Sequence, residues 1–274
     1  MTTPHPPIFA PRSALYLPAS NARAIEKARG LHADMIVLDL EDSVPPEQKG
    51  DARQAAVAAL AEGFGERIAA VRINAVGTAW HHADLAALAG SAAAAVVLPK
   101  VEDAAAARDV AAALGLKVFA MIETPRGVLQ AANIAAAPGM GGLMAGTNDL
   151  ANTLRVPAGR TGLMLALQTI VLAARAAGIV ALDGVWNRLD DAAGLEAECR
   201  EGRLLGFDGK TLIHPNQIAI ANRAFGPDAE ELEDARALVA AFSGGAERFR
   251  GRMIEGMHVE AAERAIARAC PNPD

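Results

Sequence analysis

The stretch AVVLPKVEDAAAARDVAAALGLKVFAMIE, residues 95–123, holds one complete structural repeat. It opens on a four-residue apolar run, 95–98, halted by Pro99, and closes on a second run, 118–123, whose last residue is an acid. Short aliphatic runs bounded by proline and glycine read as buried strands. The segment between them, 102–114, is amphipathic and alanine-rich, and reads as a helix. A strand returned to its neighbour by a helix pairs in parallel.

Working outward, the same unit recurs along the chain. Apolar runs occur at 13–17, 35–40, 70–74, 95–98, 118–123, 142–146, 180–185 and 209–214, with helical patterns between them, among them 47–61, 102–114, 162–177 and 190–204. Eight such runs at a spacing of about 27 residues predict a closed (β/α)8 barrel, a TIM barrel, in preference to a doubly wound sheet. No GxGxxG follows the first run, so dinucleotide binding loses its usual support. The barrel occupies residues 1–226; residues 227–274 form a C-terminal helical extension, with helices near 228–242 and 259–269. Four glycines in the stretch from Ser243 to Gly256, the last included, suggest a mobile arm that caps a site or reaches a neighbouring subunit.

Composition narrows the function. Of the 274 residues 52% are hydrophobic but only 4% aromatic, which points to a core of aliphatic strands and alanine-rich helices. A net charge of −6 without any basic run excludes a phosphate-tracking nucleic-acid surface and favours a small-molecule partner. The cysteines, Cys199 and Cys270, lie in no CxxC or Cys/His cluster, so neither zinc nor thiol catalysis is expected. The opening Met1-Thr-Thr-Pro-His-Pro-Pro lacks the apolar core of a signal peptide. The longest uncharged stretch, 127–148, is broken by Gln130, Asn133 and Pro138 and cannot span a membrane. A cytoplasmic enzyme is expected, and no GxSxG, P-loop or HExxH suggests a hydrolase or nucleotide site.

Barrel enzymes carry their chemistry at the C-terminal ends of the strands. Here those ends are charged: Asp39, Glu41 and Asp42 after the second, Arg72 and Asn74 on the third, Lys100 after the fourth, Glu123 on the fifth, Asp149 after the sixth, Asp183 on the seventh and His214 after the eighth. Strand alternation sends Arg72 and Asn74 into the lumen and puts Asp39 and Glu41 on one face. Glu123 and Asp149 come from adjacent strands, and two oxygen ligands plus water is how Mg²⁺ is usually held. The competing reading pairs Glu123 with Arg72 or Lys100 as a lumenal salt bridge. His81-His82 reads as a solvated helix start and Cys199 as a helix packing residue.

The segments 12–21, 27–30, 36–44, 71–74, 97–100, 121–125, 146–150 and 206–215, in that order, resemble the citrate lyase β-subunit-like proteins of the HpcH/HpaI aldolase group. The resemblance implies a Mg²⁺-dependent, or Mn²⁺-dependent, carbon–carbon lyase acting on malyl-, citramalyl- or citryl-like thioesters of coenzyme A. By position it makes Glu123 and Asp149 the metal ligands, Arg72 the substrate-binding arginine, and Glu41 and Asp42 the pair that holds metal-bound waters. In coenzyme-A-acting relatives an arm aspartate reaches a neighbour's site; here the matching stretch, Gly251-Arg-Met-Ile-Glu255, ends in glutamate, so Glu255 is the candidate acid–base group. Trimers or hexamers are implied too. Arg12, Arg23 and Lys27, around the first strand and its helix, are candidates for the coenzyme phosphates. Three other readings stand beside this one: a β subunit of a multi-component citrate lyase working on an acyl carrier protein, a metal-dependent aldolase on free hydroxy-oxo acids, and a non-catalytic acyl-CoA-binding barrel.

Overall fold

The computed structural model describes residues 10–157 and 159–269; the N-terminal proline-rich segment and Cys270 lie outside them. Eight parallel strands close into a barrel in chain order: β1 (Ser13–Pro18), β2 (Met35–Asp39), β3 (Ile68–Arg72), β4 (Ala95–Leu98), β5 (Lys117–Ile122), β6 (Met140–Ala145), β7 (Val180–Asp183) and β8 (Gly209–Leu212), which pairs back to β1. Around them lie α1 (Ala22–Ala28), α2 (Lys49–Glu62), α3 (His81–Leu88), α4 (Ala104–Leu114), α5 (Pro125–Ala135), α6 (Thr147–Leu154), α7 (Met164–Ala177), α8 (Ala192–Leu205) and α9 (Ile218–Phe225). All eight expected strands are present. The expected helix at 102–114 is α4, capped by the Asp103 carboxylate, which accepts from the Ala106 amide.

Strand alternation sorts the apolar residues into two layers. Ile36, Leu38, Val71, Val96, Leu98, Ala120, Ile122, Leu143 and Ala181 face the helices and join the large outer core. Ala14, Met35, Val37, Ala70, Ala95, Val97, Phe119, Met121, Met144, Val180 and Leu182 fill the lumen. The lumen is therefore a packed core below and open only at its upper end. Many outer contacts are made by alanine, which lets helices sit close against the strands; each buried leucine or isoleucine adds roughly 1.5–3 kcal/mol.

The same parity moves two expected mouth residues elsewhere. Asp183 shares its face with Ala181 and points outward, where it meets Lys210 Nζ at 3.1 Å and Arg160 Nη1 at 3.0 Å, with Glu198 3.5 Å from Arg160. Asn74 lies beyond the end of β3 and turns toward the helices, bound by Lys49 and bonded to Asp84. Neither enters the lumen.

α6 was not legible as a separate helix; it lies between β6 and α7 and carries Asp149 in its first turn. The C-terminal extension comprises α10 (Ala229–Ala241), a hairpin of β9 (Glu247–Phe249) and β10 (Arg252–Ile254), and α11 (Gly256–Ala269). The expected mobile segment is thus an ordered hairpin. Arg250 and Gly251, with φ of 45° and 84°, form its two-residue turn, and Arg250 and Arg252 both pair with Asp234 on α10. Strands of three residues are too short to register as periodicity. Arg268 of α11 bonds Asp208 and the Phe225 carbonyl, next to the N-terminal end of β8, so the extension docks on the closed end of its own barrel.

Candidate active site

A cavity of about 410 Å³ opens at the C-terminal ends of the strands. Its charged lining consists of Asp39, Asp42, Arg72, Glu123 and Asp149, with Tyr16, Met121, Gly146, Thr147 and Asn148 among the remainder. Register builds its cationic side. Asp39 and Arg72 are direct partners across β2 and β3 and both face the lumen. The carboxylate accepts Arg72 Nε and Nη2 at 2.7 Å each, a two-pronged pair. Burial pushes the Asp39 carboxyl up, but the Arg72 fork and the Ser43 hydroxyl outweigh it and hold the group below the usual carboxylate range. Asp39 also accepts the Glu41 and Ser43 amides, so one carboxylate fixes both the arginine and the acidic loop.

Glu41 and Asp42 occupy the turn after β2. Glu41 is buried and bridges Arg72 Nη1 at 3.2 Å and Lys100 Nζ at 2.7 Å; Asp42 is exposed and stands 3.8 Å from Arg72. Beneath them Lys49 is 6% exposed, and its ammonium donates to the Leu40 and Glu41 carbonyls and to Asn74 Oδ1, each at 2.7 Å. Asn74 is held in turn by Asp84, which pairs with Arg53, while the ring of His81 bonds the Asn74 carbonyl. His81 is therefore buried in this support and not solvated. Asp39 and Lys49 are the two residues whose roles the sequence did not disclose; the aspartate was visible as a lumen-facing strand end, whereas nothing about a lysine opening α2 marks it as buried.

Glu123 sits at the end of β5, 3% exposed, with Oε1 accepting the Lys100 amide at 2.6 Å. Burial above all, opposed by that amide and reinforced by the neighbouring Asp149 charge, pushes its carboxyl up to about 7. Lys100 donates that amide from the left-handed region, φ 54°, a conformation that costs a non-glycine residue roughly 1–2 kcal/mol and is held here by both its contacts, amide to Glu123 and ammonium to Glu41. The salt bridge expected as the alternative is not what forms: Lys100 takes Glu41, Arg72 takes Asp39, and Glu123 keeps only an amide. Among the described residues no group of three or more His, Cys, Asp or Glu is arranged to hold a metal. Glu123 and Asp149 instead offer two oxygen donors beside open cavity, and neither forms a salt bridge among the described residues. That donor set suits Mg²⁺, which takes one or two carboxylates and keeps waters and substrate oxygens for the rest.

Gly146 makes the approach feasible. A Cβ on it would overlap the Glu123 Cβ and stand 2.7 Å from Oε2. Gly146→Ala should therefore displace Glu123 while leaving the barrel folded. Metal-dependent turnover is expected to fall about 100-fold, with the circular dichroism spectrum unchanged.

The other expected residues fall away from this cavity. Arg12 precedes β1, at the closed end, and its guanidinium and amide are bound to Asp34, so it does not reach the mouth; the expectation followed chain proximity to the first loop and ignored strand direction. Arg23 and Lys27 are exposed on α1. Glu255 lies between the hairpin and α11, its amide bonded to His258 Nδ1, and is not part of its own chain's cavity. Cys199 is buried and burial pushes its thiol up to about 12, which bars it as a nucleophile.

The sequence profile of the HpcH/HpaI aldolase/citrate lyase family matches residues 12–215, the barrel from the start of β1 to the turn after β8. The chain belongs to that family. That family is described by its aldolases and citrate lyases, and this chain is an enzyme of it. It is 45% identical to a (3S)-malyl-CoA thioesterase of Cereibacter sphaeroides strain KD131 over 94% of both chains, and 39% identical to a citrate lyase subunit beta-like protein of Mycobacterium tuberculosis over 93% of this chain and 94% of that one. The crystal structure of CitE from Mycobacterium tuberculosis in complex with magnesium, acetoacetate and coenzyme A superposes with a TM-score of 0.80 at 38% identity, covering 95% of this chain and 98% of that one. The barrel described here is thus the fold of the family, and the likeness to that one structure extends over 95% of this chain.

Proposed function

We propose that this enzyme cleaves a short 3-hydroxyacyl-CoA, malyl- or citramalyl-like, into a 2-oxo acid and a shorter acyl-CoA, with Mg²⁺ held by Glu123 and Asp149. The observation that carries the reading is the pair of uncompensated carboxylates at adjacent strand ends, facing an arginine already fixed by Asp39. When bound, the ion supplies Lewis-acid stabilisation of negative charge on substrate oxygen. Arg72 is preorganised to neutralise the substrate carboxylate, because its orientation is set before the ligand arrives. Asp42, which lines the cavity, and the buried Glu41 beside Arg72 are the proposed acceptors for metal-bound waters. In the reaction the hydroxyl loses its proton, the adjacent carbon–carbon bond breaks, the hydroxyl carbon becomes the keto carbon, and the departing thioester enolate takes a proton.

The candidate for that proton transfer is Glu255. The extension docks on the closed end of its own barrel, so the proposal has Glu255 act at the mouth of another copy, in a homotrimer or hexamer in which residues 227–274 cap a neighbour. Arg23 and Lys27 remain the proposed contacts for coenzyme phosphates, being exposed on the helix that follows β1. No helix among the described residues is long and apolar enough to cross a membrane, and a cytoplasmic location is part of the proposal.

A second reading is favoured by the 45% identity to proteins named (3S)-malyl-CoA thioesterase: water attacks the thioester and releases malate and coenzyme A. Product analysis separates the two. Incubated with malyl-CoA and Mg²⁺, a lyase releases glyoxylate and acetyl-CoA, a thioesterase malate and free coenzyme A, and absence of both sets removes the thioester assignment.

A further inference from the structure

Tyr16, on the lumen face of β1, lines the cavity beside Arg72, whose guanidinium stands 5.0 Å above the ring centroid. Among the described residues its hydroxyl has no nitrogen or oxygen acceptor; it rests 3.3 Å from Met144 Sδ and 3.7 Å from Met121 Sδ. Thioether sulfur is a weak acceptor, so a donor left with nothing better is poorly satisfied. Arg72 is better paired, since its Nη1 already meets a carboxylate oxygen, but the same nitrogen also turns toward sulfur. Nε and Nη2 are taken by Asp39, while Nη1 has Glu41 Oε2 at 3.2 Å and the same Met121 Sδ at 3.7 Å. Two donors, one of them cationic, thus converge on a single soft sulfur at the wall of the cavity.

We infer that the Tyr16 hydroxyl and Arg72 Nη1 form a two-donor seat for one carboxylate of the substrate, the carboxylate carried by the 2-oxo acid half. Oxygen is the stronger acceptor, so a carboxylate placed beside Met121 draws both donors from the sulfur. Burial keeps the phenol protonated at any working pH, so it acts as a fixed donor. The hydroxyl stands at the cavity wall, where a ligand oxygen can replace its thioether contacts.

This inference rests on the proposed 2-oxo acid chemistry, and Tyr16→Phe tests it separately. Pyruvate binding to the Mg²⁺-loaded protein is measured by calorimetry, KM and kcat with the thioester that turns over, and melting temperature without metal. A seat for the carboxylate predicts a Kd for pyruvate raised about 10-fold, a matching rise in KM, and a melting temperature equal to or above the parent's. An unchanged Kd, no pyruvate binding by the parent, or a lowered melting temperature overturns it. Failure of the parent to turn over any thioester would instead count against the lyase reading, and the pyruvate titration would still report on Tyr16.

Discussion

Replacing Glu123 by glutamine is expected to remove the response to Mg²⁺ and to lower turnover by about a thousandfold or more, because an ion that stabilises developing charge contributes several kcal/mol to the barrier. The substitution keeps size and the acceptor for the Lys100 amide, so the barrel should remain intact. Its stability should change in an informative direction. The folded Glu123 carboxyl is raised to about 7 from an unfolded value of 4.5, chiefly by burial. The protonated form is therefore the one folding favours. Its contribution is fully present below pH 4.5 and is lost as pH rises through 7, a loss of about 3 kcal/mol in metal-free protein. Glutamine has no proton to lose. In EDTA at pH 8 the variant should unfold at higher urea than the parent, and at pH 5 the difference should shrink toward zero. Since Mg²⁺ competes with that proton, its affinity for the parent should weaken as pH falls below about 7, approaching tenfold per unit. A variant that still binds Mg²⁺ with parental affinity would remove Glu123 from the metal site.

The barrel was readable because its signal is additive: each strand and helix of the repeat at 95–123 is marked by a proline, a cap or a glycine, and eight repetitions leave little choice of closure. The position of Glu123, Arg72 and Asp39 at strand ends follows from period two alone. What parity could not give was direction beyond the last ladder bond. Asn74 lies past the end of β3, where the backbone no longer enforces alternation, and its side chain answers to Lys49 and Asp84 instead. Asp183 shows the complementary error: it stands inside β7, but on the outward face, and its charge is met by Lys210 and Arg160, a cluster that needs three distant segments to assemble. Arg12 failed for a third reason, since a residue before a strand and one after it are adjacent in sequence and a barrel height apart in space. The site is legible where local geometry decides and illegible where a partner from elsewhere does.

That distinction bears on how Arg72 should be tested. Arg72→Met is expected to abolish turnover, and also to destabilise the fold by about 3–5 kcal/mol, because Asp39 would be left 1% exposed without its cation. Loss of activity in that variant is therefore ambiguous. The double variant Asp39→Asn/Arg72→Met resolves it: the neutral amide retains one acceptor oxygen, enough for either the Glu41 or the Ser43 amide but not both, the Asp39 charge is no longer stranded, and part of the lost stability should return. Activity should not return, since nothing then neutralises the substrate carboxylate. Asp39→Asn alone is expected to fall between, with Arg72 retained but no longer forked, raising KM more than it lowers kcat. The cycle is read by urea denaturation and by steady-state kinetics on the same four proteins. Recovery of turnover together with stability in the double variant would mean that Arg72 serves the fold alone, and the carboxylate-binding role would have to pass to another group in the cavity.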